Sequence, residues 1–312
     1  MPTHEQQQRW RWPRFVTLTT GIAIAGLLLF MYPSIASWFA QLNQSQVVQS
    51  VNSTMRADSN TDLTTELDRA RAYNESLVGG ALVGAHSNVP TSAEGDSAAQ
   101  DDGDYEALLR GDAAGTMGRL RIPAIAADLP IYHGTSDETL AKGVGHLQGT
   151  SLPVGGASQH SVLTAHRGLA DAQMFTQLDR VKQGDTFTIE VFGEVITYRV
   201  FDTQVVKPED TESLYPVYGD DLVTLVTCTP IGINSHRILV TGERVTPTPQ
   251  ADLDRAGEVP NIPGFPWWAV GLGAAVLGAG AYIWLAGRLP RAKTRGSGSV
   301  HALAAAPVES RS

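Results

Sequence analysis

The sequence predicts a mainly β fold: a closed barrel or sandwich of seven or eight short strands with short helices, preceded by a helical segment and flanked by two transmembrane helices. Three observations predict it. Two long apolar runs without charge lie towards the ends, a helical period runs between residues 43 and 79, and short β-branched runs follow one another from Gly118 onward. Of the 312 residues, 42% are hydrophobic and 18% charged, which excludes a collagen-like, coiled-coil or wholly disordered chain. The single cysteine excludes a disulfide framework and any Cys-rich metal or iron–sulfur site. The net charge of −9 leaves no basic excess to neutralise phosphates, so nucleic acid is excluded as a partner.

The first apolar run, Phe15 to Ala40, holds no Asp, Glu, Lys or Arg, and the second extends from Trp267 to Gly287. As a helix the second is roughly 30 Å long, enough to cross a bilayer. Trp267, Trp268, Tyr282 and Trp284 stand near its ends, where interfacial aromatics collect. Small residues in Pro33-Ser-Ile-Ala-Ser37 suit a signal-peptide cleavage site, but 26 uncharged residues are long for a signal, so the run reads as a retained anchor. Arg9, Arg11 and Arg14 flank the first run, and Arg288, Arg291, Lys293, Arg295 and Arg311 follow the second. Both ends are therefore expected in the cytoplasm, with residues 1–14 and 288–312 as tails, 15–40 and 267–287 as spans, and the rest outside the cell. The flanks hold eight of the 23 basic and two of the 32 acidic residues, so the segment between them has a balance of −15.

In the outer segment, Leu63, Leu67, Ala70, Asn74 and Leu77 fall on one helical face, and Gly79-Gly80 is the expected stop. Residues 81–104 are rich in Ala, Ser, Gly and Asp without a period, a composition that suits a lid and a plain linker equally. Strands are expected at Leu120–Ile122, Leu129–Tyr132, Ser161–Thr164, Thr186–Val191, Val195–Phe201, Leu222–Thr227 and Ile238–Thr241, with short helices near 136–143 and 171–181. The catalytic barrel is expected over 105–250. The proline-rich stretch 246–266, with 251–266 as its linker proper, reads as an extended connection to the second span.

Cys228 closes the strand Leu222–Thr227, and a lone cysteine is either a buried small hydrophobe or a nucleophile. Arg237 opens the next strand, so the two side chains share one end of the sheet if those strands pair. His166 follows the strand Ser161–Thr164. A thiol, an imidazole and a guanidinium at strand ends are the parts acyl transfer needs: a nucleophile, a proton carrier and a cation for the developing oxyanion. The other histidines are weaker candidates. His4 and His301 lie on the cytoplasmic side, His86 in the loop, and His133, His146 and His160 are expected at the surface. His236, beside Arg237, is the serious rival to His166. No HExxH, GxxxxGK[ST] or GxSxG motif occurs, which leaves zinc-protease, nucleotide-hydrolase and α/β-hydrolase readings without support. Asn52-Ser-Thr and Asn74-Glu-Ser match glycosylation sequons.

Thr224-Leu-Val-Thr-Cys-Thr-Pro230, with Asn234-Ser-His-Arg237 after it and Thr164-Ala-His-Arg-Gly168 before it, resembles the signature set of the sortases, specifically the pilin-polymerising class C. Ala70–Leu77 is similar to the helix preceding the class C barrel, and Met117–Pro123 resembles its first strand. The resemblance covers about residues 60–290 and implies an eight-stranded sortase-type β-barrel. By it Cys228 is the nucleophile, His166 the general acid/base and Arg237 the stabiliser of substrate and oxyanion, with no cofactor and no metal. It further implies cleavage of a Leu-Pro-x-Thr-Gly-like sorting signal through a thioester, resolved by a lysine amine of another pilin, on the outer face of a Gram-positive type cell membrane. Anchoring of surface proteins to a cell-wall precursor is the nearest alternative, and a non-catalytic tethered binding module is the alternative of another class. Class C members carry an Asp-Pro-aromatic lid motif. Residues 81–104 hold no such triplet, so the expectation is either a divergent latch made from Asp101, Asp102 or Asp104 with Tyr105, or no lid.

Overall fold

The computed structural model describes residues 10–57, 60–77, 82–83, 90–91, 105–112, 114–170, 172–260 and 263–288. His4, His86, His301, Asp101, Asp102, Asp104 and nearly all of the expected loop 81–104 lie outside the described residues. The chain divides into two compact units, one of Met1–Phe30 with Ala269–Ser312 and one of Met31–Trp268.

In the first unit, the start of helix α1 (Arg14–Ala57) meets the end of helix α5 (Trp267–Arg288). The Trp10 indole donates to Trp284 O at 3.2 Å, the Arg11 amide donates to Gly287 O at 3.2 Å, and the Arg288 guanidinium lies 3.6 Å over the Trp284 ring. Both helices are long and apolar enough to cross a membrane, and none of their most apolar surface is buried.

The second unit holds the barrel. The sequence places a boundary near residue 40, but α1 runs on through Ala57, because the polar stretch after Ala40 keeps a helical face that buries Gln44, Ser45 and Val48. Helix α2 (Asn60–Ser76) follows, and its face Leu67, Ala70 and Asn74 is buried as the period requires, with Leu63 and Leu77 packed beside it. Arg71 fixes α2 to the barrel with a fork of 2.7 and 2.8 Å onto the Glu194 carboxylate. Asn74 clasps Leu152 through both ends of its amide, at 3.0 and 2.7 Å. This buried side chain has no room for a glycan, so the sequon reading of Asn74 is corrected.

Eight strands close the barrel: β1 (Thr116–Ile122), β2 (Ala127–His133), β3 (Val144–His146), β4 (Gln159–Thr164), β5 (Thr186–Val191), β6 (Glu194–Val206), β7 (Asp221–Thr229) and β8 (His236–Arg244). Their order around the barrel is β8-β6-β5-β1-β2-β3-β4-β7, returning to β8. The pairs β2/β3 and β4/β7 are parallel, and the rest are antiparallel. The barrel is filled by Leu120, Ile131, Leu163, Phe187, Ile189, Tyr198, Val223, Leu225 and Val240, all at most 1% exposed. At Gly242 the β8/β6 register shifts, and a Cβ there would lie 2.6 Å from the Phe187 ring, so only glycine passes.

Seven strands fall where the sequence puts them. The eighth, β3, was missed because Val-Gly-His is too short to show alternation. Helix α3 (Asp137–Lys142) fits the expectation near 136–143, while 171–181 holds turns and a single 3-10 turn, Leu178–Arg180, instead of a helix. The stretch 246–266 is not simply extended. It carries α4 (Gln250–Asp254) and is tied to the barrel, where Asp252 accepts from Thr197 Oγ1 at 2.8 Å. Nearby, buried Arg119 forks onto Asp128 at 2.6 Å and donates to Glu258 O at 2.7 Å.

Candidate active site

β7 and β8 pair antiparallel, and Cys228 stands directly opposite Arg237. Strand alternation sorts the neighbours by face. On β7, Val223 and Leu225 enter the barrel core, whereas Val226 belongs to a separate apolar cluster with Leu147, Val162, Leu214 and Leu239. Cys228 and Arg237 continue the faces of Val226 and Leu239, so both stand over this second cluster on the outside of the barrel.

His166 reaches the same place along β4. The last β4/β7 partners are Thr164 and Val226, and both His166 and Cys228 lie two residues beyond that pair. The Ala165 amide donates to Val226 O at 3.2 Å, and Thr227 Oγ1 donates to Ala165 O at 2.7 Å. The backbone before the imidazole is thus laced to the backbone before the thiol. Cys228, His166 and Arg237 are all half-buried. Arg237 Nη1 donates to Asn234 O at 2.9 Å and to His236 O at 3.1 Å, which steadies the side chain from within its own turn. Among the described residues nothing accepts from its Nε or Nη2.

The rival base is placed differently. His236 pairs with Thr229, one step from the Cys228–Arg237 pair, and alternation turns it to the other face. Its Nδ1 lies 2.9 Å from Ser235 Oγ. The three histidines expected at the surface are corrected by the structure. His146 and His160 are buried, at 0% and 1% exposure, and His133 is half-buried.

Each is held by a specific network. His146 Nε2 lies 2.9 Å from Ser151 O, a group that only accepts, so Nε2 carries the proton and Nδ1 accepts from Tyr105 Oη at 2.9 Å. Burial pushes the His146 imidazole down to about 4. By the same logic His160 Nδ1 donates to Tyr215 O at 3.1 Å, and its Nε2 accepts from Thr224 Oγ1 at 2.7 Å. Burial lowers His160 and His133 as well. Burial disfavours the charged form of all three, and each is engaged by hydrogen bonds within the fold.

The same contacts correct the proposed latch. Tyr105 is 1% exposed, with its hydroxyl on His146 and its ring against Tyr73, so it belongs to the interior and cannot lie over the thiol. Among the described residues no group of three His, Cys, Asp or Glu side chains could hold a metal ion.

Sequence reasoning passed over Arg167 and Thr229, which the structure joins at 2.7 Å beside the site. The signal was present, since each directly follows a residue singled out for chemistry. Gly168 was also given no task. Its φ is +75, and a Cβ would lie 2.4 Å from Ile231 Cγ2, so glycine lets this loop pass the turn after β7.

Comparison with known proteins gives a consistent picture. A family model described as a sortase domain matches residues 120–245. Sortase D of Bacillus subtilis (strain 168) is 29% identical over 160 residues, spanning 50% of this chain and 78% of that protein. The crystal structure of sortase C-1 from Actinomyces oris is 48% identical, covering 59% of this chain and 98% of that one with a TM-score of 0.52. A Streptococcus pneumoniae sortase C, described together with its pilin substrate specificity, is 36% identical, covering 64% of this chain and 96% of that one with a TM-score of 0.56.

Proposed function

This chain belongs to the sortase family of cysteine transpeptidases, with class C members among its structural neighbours, and from that premise we propose that it polymerises pilins. In this reading Cys228 Sγ attacks the Thr carbonyl of a Leu-Pro-x-Thr-Gly-like signal. Arg237 donates to the oxyanion, and the Thr–Gly C–N bond breaks as His166 gives its proton to the departing glycine amine. A lysine ε-amine of another pilin then attacks the thioester. It yields a proton to His166, the C–S bond breaks, and an isopeptide bond results with the Cys228 thiolate and protonated His166 restored for the next cycle. The chain's own groups supply nucleophile, acid and cation.

The observation that carries the proposal is the register: Cys228 opposite Arg237, with His166 advanced by the same two residues along the adjacent parallel strand. The apolar floor of Leu147, Val162, Val226 and Leu239 beside them suits the Leu-Pro portion of such a signal. The second apolar helix and α2 favour polymerisation over wall anchoring. The basic flanks favour two spans with both termini in the cytoplasm and the barrel outside, and the contact of Arg11 with Gly287 accords with flanks on one side.

The test is mass spectrometry of products from a Leu-Pro-x-Thr-Gly peptide offered Nα-acetyl-lysine amide or a cell-wall precursor amine. Polymerisation predicts transfer to the lysine ε-amine, absent in Cys228→Ala. Transfer to the precursor amine alone would replace this proposal with wall anchoring.

A further inference from the structure

The reaction scheme leaves one well-connected cation beside the site without a task. Arg167 follows His166 directly, and its side chain is 10% exposed. Its planar fork meets three acceptors on two segments. Nη1 donates to Thr229 Oγ1, on the residue after Cys228, at 2.7 Å. Nε donates to Thr176 O at 3.2 Å, and Nη2 lies 3.0 Å from Asp179 Oδ2 in the 3-10 turn. The loop that carries it is closed on itself. The Phe175 amide donates to His166 O at 3.1 Å, and the Gly168 amide donates to Thr176 Oγ1 at 3.0 Å. Phe175 and Thr176 thus close back onto His166 and Gly168, and Arg167 rivets this loop closure to β7 next to the thiol.

We propose that Arg167 is a positioning residue for the transfer reaction, holding the His166 loop at a fixed separation from Cys228 through both halves of the cycle. The inference rests on the roles given above to His166 and Cys228. A substrate-binding role does not fit a guanidinium that is buried and already engaged by three acceptors. A surface ion pair would contribute little, but a buried guanidinium is costly to leave unpaired, so the loop has one favoured arrangement. Lysine keeps the charge without the fork and cannot serve three acceptors in different directions.

The test uses the full chain in detergent micelles with a fluorogenic Leu-Pro-x-Thr-Gly peptide and Nα-acetyl-lysine amide, below the melting point of every variant. Arg167→Ala is expected to lower kcat on the order of 10- to 100-fold while KM stays within about 2-fold, the pattern of a misplaced catalytic group. Arg167→Lys should restore only part of that loss. Thr229→Val, which keeps the other two Arg167 contacts, should lower kcat several-fold, and the double variant should be no worse than Arg167→Ala. Parental kcat in folded Arg167→Ala, or a loss confined to KM, would overturn the inference. If Arg167→Ala does not fold, Thr229→Val decides: an unchanged kcat overturns it. His166→Ala runs in parallel. Parental turnover there defeats the assignment of His166 itself, whereas an inactive His166→Ala beside a fully active Arg167→Ala defeats only the role of Arg167.

Discussion

Acid should weaken this fold through one buried imidazole. His146 is enclosed by Tyr105, Thr150 and Ser151, with His133 the nearby titratable group, and its two nitrogens are satisfied only in the neutral form. Burial moves it from 6.5 to about 4 in the folded protein. The unfolded chain takes up this proton below pH 6.5, while the folded chain resists until about pH 4. The associated stability is therefore complete above pH 6.5 and is lost progressively as pH falls towards 4. At ~1.4 kcal/mol per unit, the loss is about 3 kcal/mol, a large part of a typical domain's stability. His133 and His160 are shifted in the same direction and steepen the decline. His146→Gln removes the titration while offering an amide donor to Ser151 O and an acceptor to Tyr105. Urea unfolding followed by near-UV circular dichroism between pH 7 and 4 should show a flatter profile in the variant by about 3 kcal/mol over that range. Parallel profiles for the two proteins would refute the reasoning.

Three further outcomes are expected. His166→Ala should abolish peptide cleavage, whereas His236→Ala, turned to the other face, should lower kcat/KM by less than about 10-fold; the reverse order in a peptide assay would exchange their roles. Arg237→Lys should lose on the order of 100-fold in kcat, because an ammonium cannot hold the Asn234 and His236 carbonyls and also present a fork to the oxyanion; near-parental turnover would reduce Arg237 to a simple charge. Deleting residues 84–100 should change the rate of Cys228 labelling by a small thiol reagent less than about 3-fold, since a segment with few large apolar side chains recovers little of the entropy of ordering. A many-fold rise in labelling would establish that the segment covers the site.

The strand ends proposed to carry the chemistry were legible because each adjoins a β-branched run, and the β7/β8 turn is short enough to favour their pairing. That pairing predicts Arg237 and Cys228 at one end of the sheet, and the register sets them directly opposite. The approach of His166 was legible only through family resemblance, because β4 and β7 are parallel and far apart in the chain, and no local rule brings such strands together. His146 and His160 were misread for a related reason. His146 after a glycine and His160 between Gln159 and Ser161 look solvated until Tyr105, from a different segment, and Thr224, from a different strand, are found supplying their hydrogen bonds. The three-residue β3 carries too little pattern to announce itself, and its place is set by β2 and β4 on either side.

The closed order of the barrel limits how an extended peptide can be recognised. β7 is bonded to β4 from Asp221 to Val226 and to β8 from Leu222 to Thr229, so the strand bearing Cys228 has no open edge up to Val226. The short β3 pairs with β4 only at Leu163 and Thr164, which by itself would leave part of β4 uncovered. The loop after β3 fills that gap: the Leu147 amide donates to Val162 O at 2.9 Å, the Ser151 amide to His160 O at 3.1 Å, and the Val162 amide to Thr150 Oγ1 at 3.2 Å. A ligand therefore cannot pair as another strand along β4 or along β7 up to Val226, a mode that is tolerant of sequence because it grips main chain. It must lie across the outer face and be read by its side chains against the apolar floor and the surrounding loops. A transpeptidase gains selectivity from that restriction, since extended main chain alone is not enough to be captured.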